Sequence, residues 1–200
     1  MNKFDIKTDF TEYKRYFLEQ NSKLNLISKK EEEYLYEKHI YDSLAIKLFF
    51  NKYNVSPKTI LDIGTGGGFP AVPIALEYPE ISVFGIDSVG KKINAVRTIC
   101  ENLKMKNITL INDRVENIKD KKFDIITSRA VGRIDKLVKY AYPLLAEHGF
   151  IILYKSKTTN EEMDEAISLI RKLQLKIKPA IEYELPLEEI YTRKLVILEK

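Results

Sequence analysis

Short runs rich in β-branched residues alternate with longer helical patterns from Thr59 to Tyr154, and this alternation constrains the fold most strongly. Strands that alternate with helices predict right-handed βαβ units, in which helices cover both faces of a mostly parallel sheet. Continuous apolar runs such as Phe84-Gly85-Ile86 and Ile151-Ile152-Leu153 fit strands that are buried on both faces. The chain of 200 residues is long enough for one such domain.

The pattern predicts a Rossmann-like α/β fold with a mostly parallel seven-stranded sheet, helices on both faces and additional N-terminal helices. The predicted strands are Thr59–Ile63, Val83–Asp87, Ile108–Asn112, Phe123–Thr127, Phe150–Tyr154 and two near 176–184 and 192–198. The last two are expected to form an antiparallel pair at the sheet edge. The predicted helices of this region are Pro70–Glu77, with proline in its first turn, 89–103, 134–146 and Asn160–Leu173.

Two helices precede the alternating region. Residues 9–20 have an amphipathic pattern that Asp9 can cap, with Glu12 three residues later. Ser28 and Glu31 form a capping-box pattern that predicts a second helix, ending before Ser56-Pro57. We therefore expect a helical extension, residues 1–56, packed on a core of residues 57–200, within one domain overall.

Composition excludes several classes of protein. The start of the chain is polar and no apolar run approaches 18 residues, so neither secretion nor a membrane span is expected, and the sequence predicts a cytoplasmic protein. One cysteine, Cys100, and two histidines are too few and too scattered for a usual zinc site, so we expect no metal, and Cys100 is predicted to fill the core. With no obvious sticky patch, we expect a monomer without an obligate protein partner.

Positive charge is concentrated in one half of the chain. Residues 88–157 carry fifteen Lys and Arg against seven Asp and Glu, within a net charge of +4. Such a half suits a polyanionic partner. Charge alone leaves open the alternative of a solvated basic surface.

The sharpest local motif is a glycine loop, Leu61-Asp62-Ile63-Gly64-Thr65-Gly66-Gly67-Gly68-Phe69-Pro70, between a strand and a helix. In an open α/β sheet this position faces the ligand crevice, where glycines permit a sharp turn and a close ligand approach. Asp62, just before Gly64, would repel a pyrophosphate but suits the amino group of S-adenosylmethionine, directly or through water. The loop also lacks the G-x-G-x-x-G pattern of dinucleotide folds, which argues against a nicotinamide-dependent oxidoreductase.

Two acidic segments follow the next strands. Asp87 ends the second strand, where an acid can bind ribose hydroxyls, although capping the next helix is an alternative role. Asp113-Arg114-Val115-Glu116 follows the third strand, and the backbone around Val115 could read an adenine amino group. A surface ion pair between Arg114 and Glu116 remains the simpler alternative.

Together these segments resemble the RsmG family (also called GidB), whose members methylate guanine N7 in small-subunit ribosomal RNA. The resemblance runs from about Asn25 to the C-terminus. It rests on Asn25-Leu26, His39-Ile40-Tyr41-Asp42-Ser43, residues 62–73, Asp87-Ser88, Lys91-Lys92, Arg114-Val115-Glu116, Ser128-Arg129-Ala130-Val131, Lys155, Arg193 and Leu195-Val196. The chain departs from the family pattern at Ala71, Ala95-Val96 and Ser156, and Ser156 replaces a glycine beside an expected substrate residue.

The resemblance implies that the chain transfers methyl from S-adenosylmethionine to N7 of a guanine in 16S ribosomal RNA. The alternative is a class I methyltransferase acting on another RNA, a protein or a small molecule, and a non-catalytic RNA-binding module is a further rival. Residues expected at the cofactor are Asp62, Gly64, Gly66, Gly68, Phe69, Asp87, Ser88, Val115, Glu116 and Arg129.

Guanine N7 has a lone pair and no proton to remove, so the reaction needs no general base and depends on orientation. The residues expected to orient the substrate are Arg129, Lys155 and Arg193, and those expected to contact RNA are His39, Arg114, Lys155 and Arg193. Ion-pair or capping roles remain open for Arg129, and a solvated position for Lys155. We favour a hydrogen-bonded pair of His39 and Asp42 that packs the N-terminal helices over the cofactor pocket.

Overall fold

The computed structural model describes residues 4–129, 132–156 and 159–200. In this part of the chain, seven strands form one sheet in the order β3-β2-β1-β4-β5-β7-β6. The strands are β1 (Thr59–Ile63), β2 (Ser82–Asp87), β3 (Ile108–Asn112), β4 (Phe123–Arg129), β5 (Leu145–Lys155), β6 (Lys176–Leu185) and β7 (Tyr191–Glu199). Neighbours among β1 to β5 pair in parallel, whereas β7 pairs antiparallel with both β5 and β6. The predicted parallel sheet with an antiparallel edge pair is confirmed.

Helices cover both faces of this sheet. They are α1 (Thr11–Leu24), α2 (Lys29–Glu32), a π-helical segment (Leu35–Tyr41), α3 (Asp42–Leu44), α4 (Ile46–Tyr53), α5 (Ala71–Glu77), α6 (Gly90–Asn102), α7 (Ile134–Ala141) and α8 (Asn160–Lys172). Leu61 and Ile63 of β1 pack in a cluster with α7 and α8, whereas Ile60 packs in a second cluster with α4 and α5. Alternate side chains of β1 thus enter opposite layers, as its central position requires.

A third apolar cluster joins the N-terminal helices to the glycine loop. Phe17 of α1 and Ile40 of the π-helical segment share it with Phe69 and with Val96 of α6. Cys100 is buried there too, as predicted, and its burial raises the pKa of the thiol to about 12. The N-terminal segment therefore packs against the end of the sheet that carries the loop.

The single second helix predicted between Ser28 and Ser56 is wrong. Ser28 and Glu31 do form the capping box, with Ser28 Oγ donating to Glu31 Oε2 at 2.9 Å. The helix then widens into π turns, and the Lys38 carbonyl within them accepts a hydrogen bond from Arg129 Nη1 at 3.0 Å. Single π turns often occur at functional positions. The π turns thus coincide with a tertiary contact, and helical periodicity in the sequence cannot predict such a contact.

Two other helix boundaries differ from the prediction. The first helix begins at Thr11 instead of residue 9, and Asp9 accepts from the Thr11 amide at 2.9 Å. Glu12 does not complete a capping box but pairs with Arg15. The helix predicted over 134–146 ends at Ala141, because a 3₁₀ turn containing Pro143 leads directly into β5.

None of the helices in the described ranges combines the length and the apolar character needed to cross a membrane. Within the same ranges, no group of three or more His, Cys, Asp or Glu side chains is arranged to hold a metal ion.

Candidate functional site

A cavity of about 470 Å³ opens at the carboxyl ends of β1, β2 and β3. Parallel strands bring the residues that follow them to the same sheet edge, where α/β proteins bind their ligands. Six residues predicted at the site line this cavity, namely Gly64, Asp87, Ser88, Arg114, Val115 and Glu116. The remaining lining residues are Ile63, Ile86, Asp113, Gly132, Lys136, Leu137 and Tyr140.

The glycine loop is held against the end of β2. The amides of Gly64 and Thr65 both donate to the Ile86 carbonyl, at 2.9 and 3.0 Å. The Gly66 amide donates to Asp87 Oδ2 at 2.9 Å. The loop therefore presents Gly64 to the cavity, and the Gly66 amide holds the Asp87 side chain in place.

Gly68 serves packing, where the sequence suggested a close ligand approach. Its φ is +92°, and a Cβ atom there would lie 2.8 Å from Val72 Cγ2 and 3.0 Å from Val96 Cγ1. Such distances leave no room for a side chain between α5 and α6. Among the predicted loop glycines, only Gly64 lines the cavity.

Asp87 has two structural partners in addition to its place on the cavity wall. Its Oδ1 accepts from the Val89 amide at 2.8 Å, just before α6, and its Oδ2 accepts from Gly66. The capping alternative is therefore realised in part. Each carboxylate oxygen can accept more than one hydrogen bond, so the side chain keeps capacity for a ligand hydroxyl.

Asp62 lies beneath the loop with no exposed surface. Its Oδ1 accepts from Thr127 Oγ1 at 3.0 Å. Its Oδ2, like Thr65 Oγ1, is buried without a hydrogen-bond partner in the described part of the chain. Burial raises the pKa of the Asp62 carboxyl to about 7. This position favours contact with a ligand ammonium through water over direct contact.

The segment after β3 forms the opposite wall of the cavity. Asp113 Oδ1 accepts from Asn117 Nδ2 at 2.6 Å and from the Arg114 amide at 2.7 Å, which shapes a short 3₁₀ turn. Val115 is buried, whereas Arg114 and Glu116 are exposed at the rim. The wall combines an apolar patch with polar groups, as a nucleoside site requires.

Sequence reasoning missed the contribution of α7. Lys136, Leu137 and Tyr140 reach the cavity from this helix, and Lys136 Nζ lies 5.8 Å from the Tyr140 ring centroid. Lys136 and Leu137 lie one helical turn before Tyr140, so the three side chains fall on one face of a helix that follows β4. This spacing could have indicated that the face is turned toward the sheet edge.

A second cavity, of about 220 Å³, lies where β4 and β7 meet the N-terminal helices. It brings together three predicted residues, His39, Arg129 and Arg193. Its other lining residues are Glu31, Lys38, Asp42, Leu185 and Tyr191. Arg129 and Arg193 were predicted to orient one substrate, and they do share a wall.

Asp42 holds these two arginines. Its Oδ2 accepts from Arg129 Nη1 at 3.0 Å, and its Oδ1 accepts from Arg193 Nε at 3.2 Å and from Tyr183 Oη at 2.6 Å. Burial raises the pKa of the Asp42 carboxyl, but the two guanidinium groups outweigh it, and the pKa is lowered. Asp42 therefore remains ionised as the centre of a buried cluster.

His39 and Asp42 were expected to bond to each other, and they instead meet through Arg129. Arg129 Nη2 lies 2.9 Å from His39 Nδ1. Burial and the adjacent Arg129 charge lower the pKa of His39 to about 4, so the imidazole is neutral at pH 7. Phe69 is buried beside them, and its ring centroid lies 5.0 Å from that of His39 and 5.1 Å from Arg129 Cζ.

Lys155 lines neither of the two cavities. Its Nζ donates to Glu162 Oε2 at 2.7 Å and to the Gly132 carbonyl at 3.1 Å. The solvated alternative is therefore wrong, because this lysine ties α8 to the segment before α7.

The residues that depart from the family pattern lie partly in the core and partly after β5. Ala71, Ala95 and Val96 are buried in the core, as packing changes would be. Ser156 follows β5, and its carbonyl accepts from Thr159 Oγ1. Two positions of the matched pattern, Ala130 and Val131, lie outside the described residues.

Comparison with known proteins identifies close relatives. The family described as GidB, rRNA small subunit methyltransferase G, matches residues 6–184. The ribosomal RNA small subunit methyltransferase G of Lactococcus lactis subsp. lactis is 34% identical, with 100% of this chain and 87% of the relative covered. The protein of that name from Staphylococcus saprophyticus is 35% identical, with 96% of this chain and 80% of the relative covered.

Solved structures support the fold. An O-methyltransferase from Bacillus cereus in complex with SAH matches with a TM-score of 0.64 and 17% identity, covering 98% of this chain and 93% of that chain. TrmN from Thermus thermophilus matches with a TM-score of 0.61 and 15% identity, covering 82% and 53%. At these identities the likeness concerns the fold alone, and it confirms the predicted Rossmann-like class I methyltransferase fold.

Proposed function

Because the chain belongs to the rRNA small subunit methyltransferase G family, we propose that it transfers a methyl group from S-adenosylmethionine to N7 of a guanine in 16S ribosomal RNA. The observation that carries this proposal is the cavity at the carboxyl ends of β1 to β3, in which Asp87, Val115 and Glu116 surround one space. An acid at the end of β2 suits ribose hydroxyls, and the apolar wall around Val115 suits an adenine ring.

The cavity fits this cofactor better than a dinucleotide. Among the described residues, three carboxylates line it, from Asp87, Asp113 and Glu116, against two cations, from Arg114 and Lys136. Carboxylates repel a pyrophosphate but not a ligand with a cationic ammonium and sulfonium. The unpartnered Asp62 Oδ2 beneath the loop supplies an acceptor for the ammonium through water.

We assign direct cofactor contacts to Gly64, Asp87, Ser88, Val115 and Glu116, which line the cavity. The other predicted residues support this set from behind, namely Asp62, Gly66, Gly68, Phe69 and Arg129. Gly66 acts through its hydrogen bond to Asp87 and Gly68 through the packing of α5 on α6.

S-adenosylmethionine, when bound, supplies an electrophilic methyl group on a positively charged sulfur. The lone pair of guanine N7 can attack it without loss of a proton, so the chain needs neither a general base nor a Ser/His/Asp triad. The side chains must therefore align N7 with the methyl carbon and the sulfur. A donor placed on N7 would block the attack.

Arg129 satisfies that restriction in an unexpected way. Its guanidinium donates to Asp42, to the Lys38 carbonyl and toward His39, so it is held back from a base in the site. We propose that Arg129, Lys155 and Arg193 orient the substrate. Arg129 and Lys155 act by holding the walls of the site, and Arg193 acts from the second cavity.

We propose His39, Arg114, Lys155 and Arg193 as the residues that meet the RNA. Exposure of Arg114 at the rim of the first cavity supports a phosphate contact there. His39 and Arg193 line the second cavity. Lys155 would reach RNA only after exchanging its bond to Glu162 for a phosphate oxygen.

We further infer a cytoplasmic monomer without an obligate protein partner, with residues 1–56 forming a helical extension on the 57–200 core. The substrate, small-subunit ribosomal RNA, supports the location. Few large apolar side chains in the described ranges are exposed, which supports the oligomeric state.

The experiment is methyl transfer from labelled S-adenosylmethionine to 30S subunits and to naked 16S ribosomal RNA, both from cells that lack the modification. We expect label in RNA, and mass mapping should place it on guanine as a 7-methyl group. Label in a protein or small molecule but not in RNA would overturn the proposal, as would calorimetry that detects nicotinamide binding and no S-adenosylmethionine binding.

A further inference from the structure

His39, which lines the second cavity, carries an unused hydrogen-bond donor that is itself buried. Arg129 Nη2 lies 2.9 Å from His39 Nδ1, and a guanidinium can only donate. Nδ1 must therefore accept, which leaves the single proton of the neutral ring on Nε2. His39 is 8% exposed, and its Nε2 has no hydrogen-bond partner in the described part of the chain.

A carboxylate acceptor stands beside this donor. Glu31 Oε1 lies 3.8 Å from His39 Nε2, too far for a hydrogen bond. Glu31 Oε2 is used in the capping box, where it accepts from Ser28 Oγ at 2.9 Å. Partial burial raises the pKa of Glu31, but the Ser28 hydrogen bond and neighbouring positive charge outweigh it, so the carboxyl is ionised at pH 7. The cavity wall thus offers one donor next to one acceptor.

Between the two purines, this order of groups matches the Watson–Crick edge of guanine. Guanine presents the O6 acceptor beside the N1–H donor, with a second donor at the 2-amino group, whereas adenine presents a donor at position 6 beside the N1 acceptor. We propose that the second cavity receives the target guanine, with His39 Nε2–H donating to O6 and Glu31 Oε1 accepting from N1–H. This assignment rests on the proposed methylation of ribosomal guanine.

The pairing leaves N7 open for the reaction. N7 lies on the far side of O6 from N1, so a base held by its Watson–Crick edge keeps the N7 lone pair free. Three of the five N–H donors of Arg129 are engaged by Asp42, His39 and the Lys38 carbonyl, and these contacts hold its guanidinium in place. Tyr191, 48% exposed on the rim of the cavity, can stack on an unpaired base.

Adenine would be rejected by the same groups. Its 6-amino group would face the His39 donor, and its N1 lone pair would face the Glu31 carboxylate. A mismatched base would leave the buried His39 donor unpaired, and such a loss discriminates strongly. Glu31 is therefore the specificity-determining residue of this pocket.

The test compares Glu31→Ala with Ser28→Ala, a matched control that also removes the capping box but keeps the Glu31 acceptor. We expect Glu31→Ala to lower kcat/KM for 30S subunits about 10- to 100-fold, the usual effect of losing one base-specific contact. Ser28→Ala should change it less than about threefold, since a lost cap costs stability rather than recognition. Calorimetry should give the same S-adenosylmethionine affinity for both variants.

A second measurement reads the His39 ring directly. The chain has two histidines, so ¹⁵N-labelled His148→Gln assigns the ring signals of His39. We expect the Nε2–H tautomer, and millimolar GMP should shift the His39 Nε2 signal while AMP does not.

Different outcomes overturn different conclusions. A wild-type protein that methylates no ribosomal RNA removes both the function and the pocket. A wild-type protein that methylates RNA, together with equal effects of Glu31→Ala and Ser28→Ala, removes the guanine pocket alone. A ring protonated on Nδ1, the absence of a shift with GMP, or equal shifts with GMP and AMP, would also remove it.

Discussion

Asp42 Oδ2 accepts a hydrogen bond from Arg129 Nη1 at 3.0 Å, and the two side chains are only 2% and 11% exposed. This ion pair joins the start of α3 to the end of β4. Arg193 of β7 joins the same carboxylate. One buried charge therefore connects the N-terminal helices to two strands of the sheet.

Asp42→Asn should destabilise the fold by about 3–5 kcal/mol, because it leaves two buried guanidinium groups without their shared anion. Urea unfolding measures this free energy. Tyr183→Phe removes the 2.6 Å hydrogen bond to Oδ1 but keeps the carboxylate, and should cost about 1.5–3 kcal/mol. If Asp42→Asn lowers the free energy of unfolding no more than Tyr183→Phe does, the central role of the carboxylate is contradicted.

Gly64→Asp should abolish S-adenosylmethionine binding and methyl transfer. Gly64 lines the first cavity with φ at +71°, so the new side chain would add a charge to the ligand space. Calorimetry measures binding, and circular dichroism establishes that the variant is folded. A folded and fully active variant would mean that the cofactor site is elsewhere.

Gly68→Ala should destabilise the fold more than Gly66→Ala. A Cβ atom at Gly68 meets Val72 Cγ2 at 2.8 Å, whereas one at Gly66 comes no closer than 3.9 Å to Gly64 O. Both positions carry positive φ, which costs about 1–2 kcal/mol for alanine, and overpacking at Gly68 adds about 1–3 kcal/mol. Thermal unfolding of the two variants side by side measures the difference, and the reverse order would show that α5 and α6 are loosely packed there.

Asp62→Asn should change how stability depends on pH. The pKa of Asp62 is raised to about 7 in the folded protein from 3.8, so between these values the folded state holds a proton that the unfolded chain has released. The free energy of unfolding contributed by this group therefore falls as pH rises from 4 to 7. Asparagine removes the effect, and the free energy of unfolding that Asp62→Asn gains over wild type should be on the order of 4 kcal/mol larger at pH 8 than at pH 4. Parallel pH profiles in urea unfolding would contradict the buried, proton-holding carboxyl.

Arg114→Glu should lower kcat/KM for 30S subunits about tenfold at low salt, because the side chain is exposed at the rim of the first cavity and each phosphate contact adds to affinity. Lys106→Glu makes the same change of charge at an exposed position that lines neither cavity, and should have less than a twofold effect. Equal losses in the two variants would favour a diffuse role of positive charge.

The strands of the core could be predicted because each is a short apolar run with a distinct end. β1 and β3 occupy the predicted residues, and Asp87 and Val115 lie at the cavity because strand ends fix their place. Local pattern is sufficient there, since a parallel sheet brings the residues after its strands to one edge.

The role of Arg129 could not be predicted in the same way. Its partners Asp42 and His39 are 87 and 90 residues away along the chain, and no local pattern pairs them. The widened turns before Asp42 likewise accompany a tertiary bond to the Lys38 carbonyl. Contacts of this kind between distant residues override helical propensity.

The position of β7 determines the order in which the molecule can be completed during synthesis. The last strand of the chain is not at the edge of the sheet but lies between β5 and β6. Until residues 191–199 have left the ribosome, β5 has an open edge, β6 has no neighbour, and Asp42 lacks Arg193, its partner 151 residues later. A growing chain folds from its N-terminus, so the second cavity, which Arg193 lines, is completed only after residues 191–199 have emerged from the ribosome.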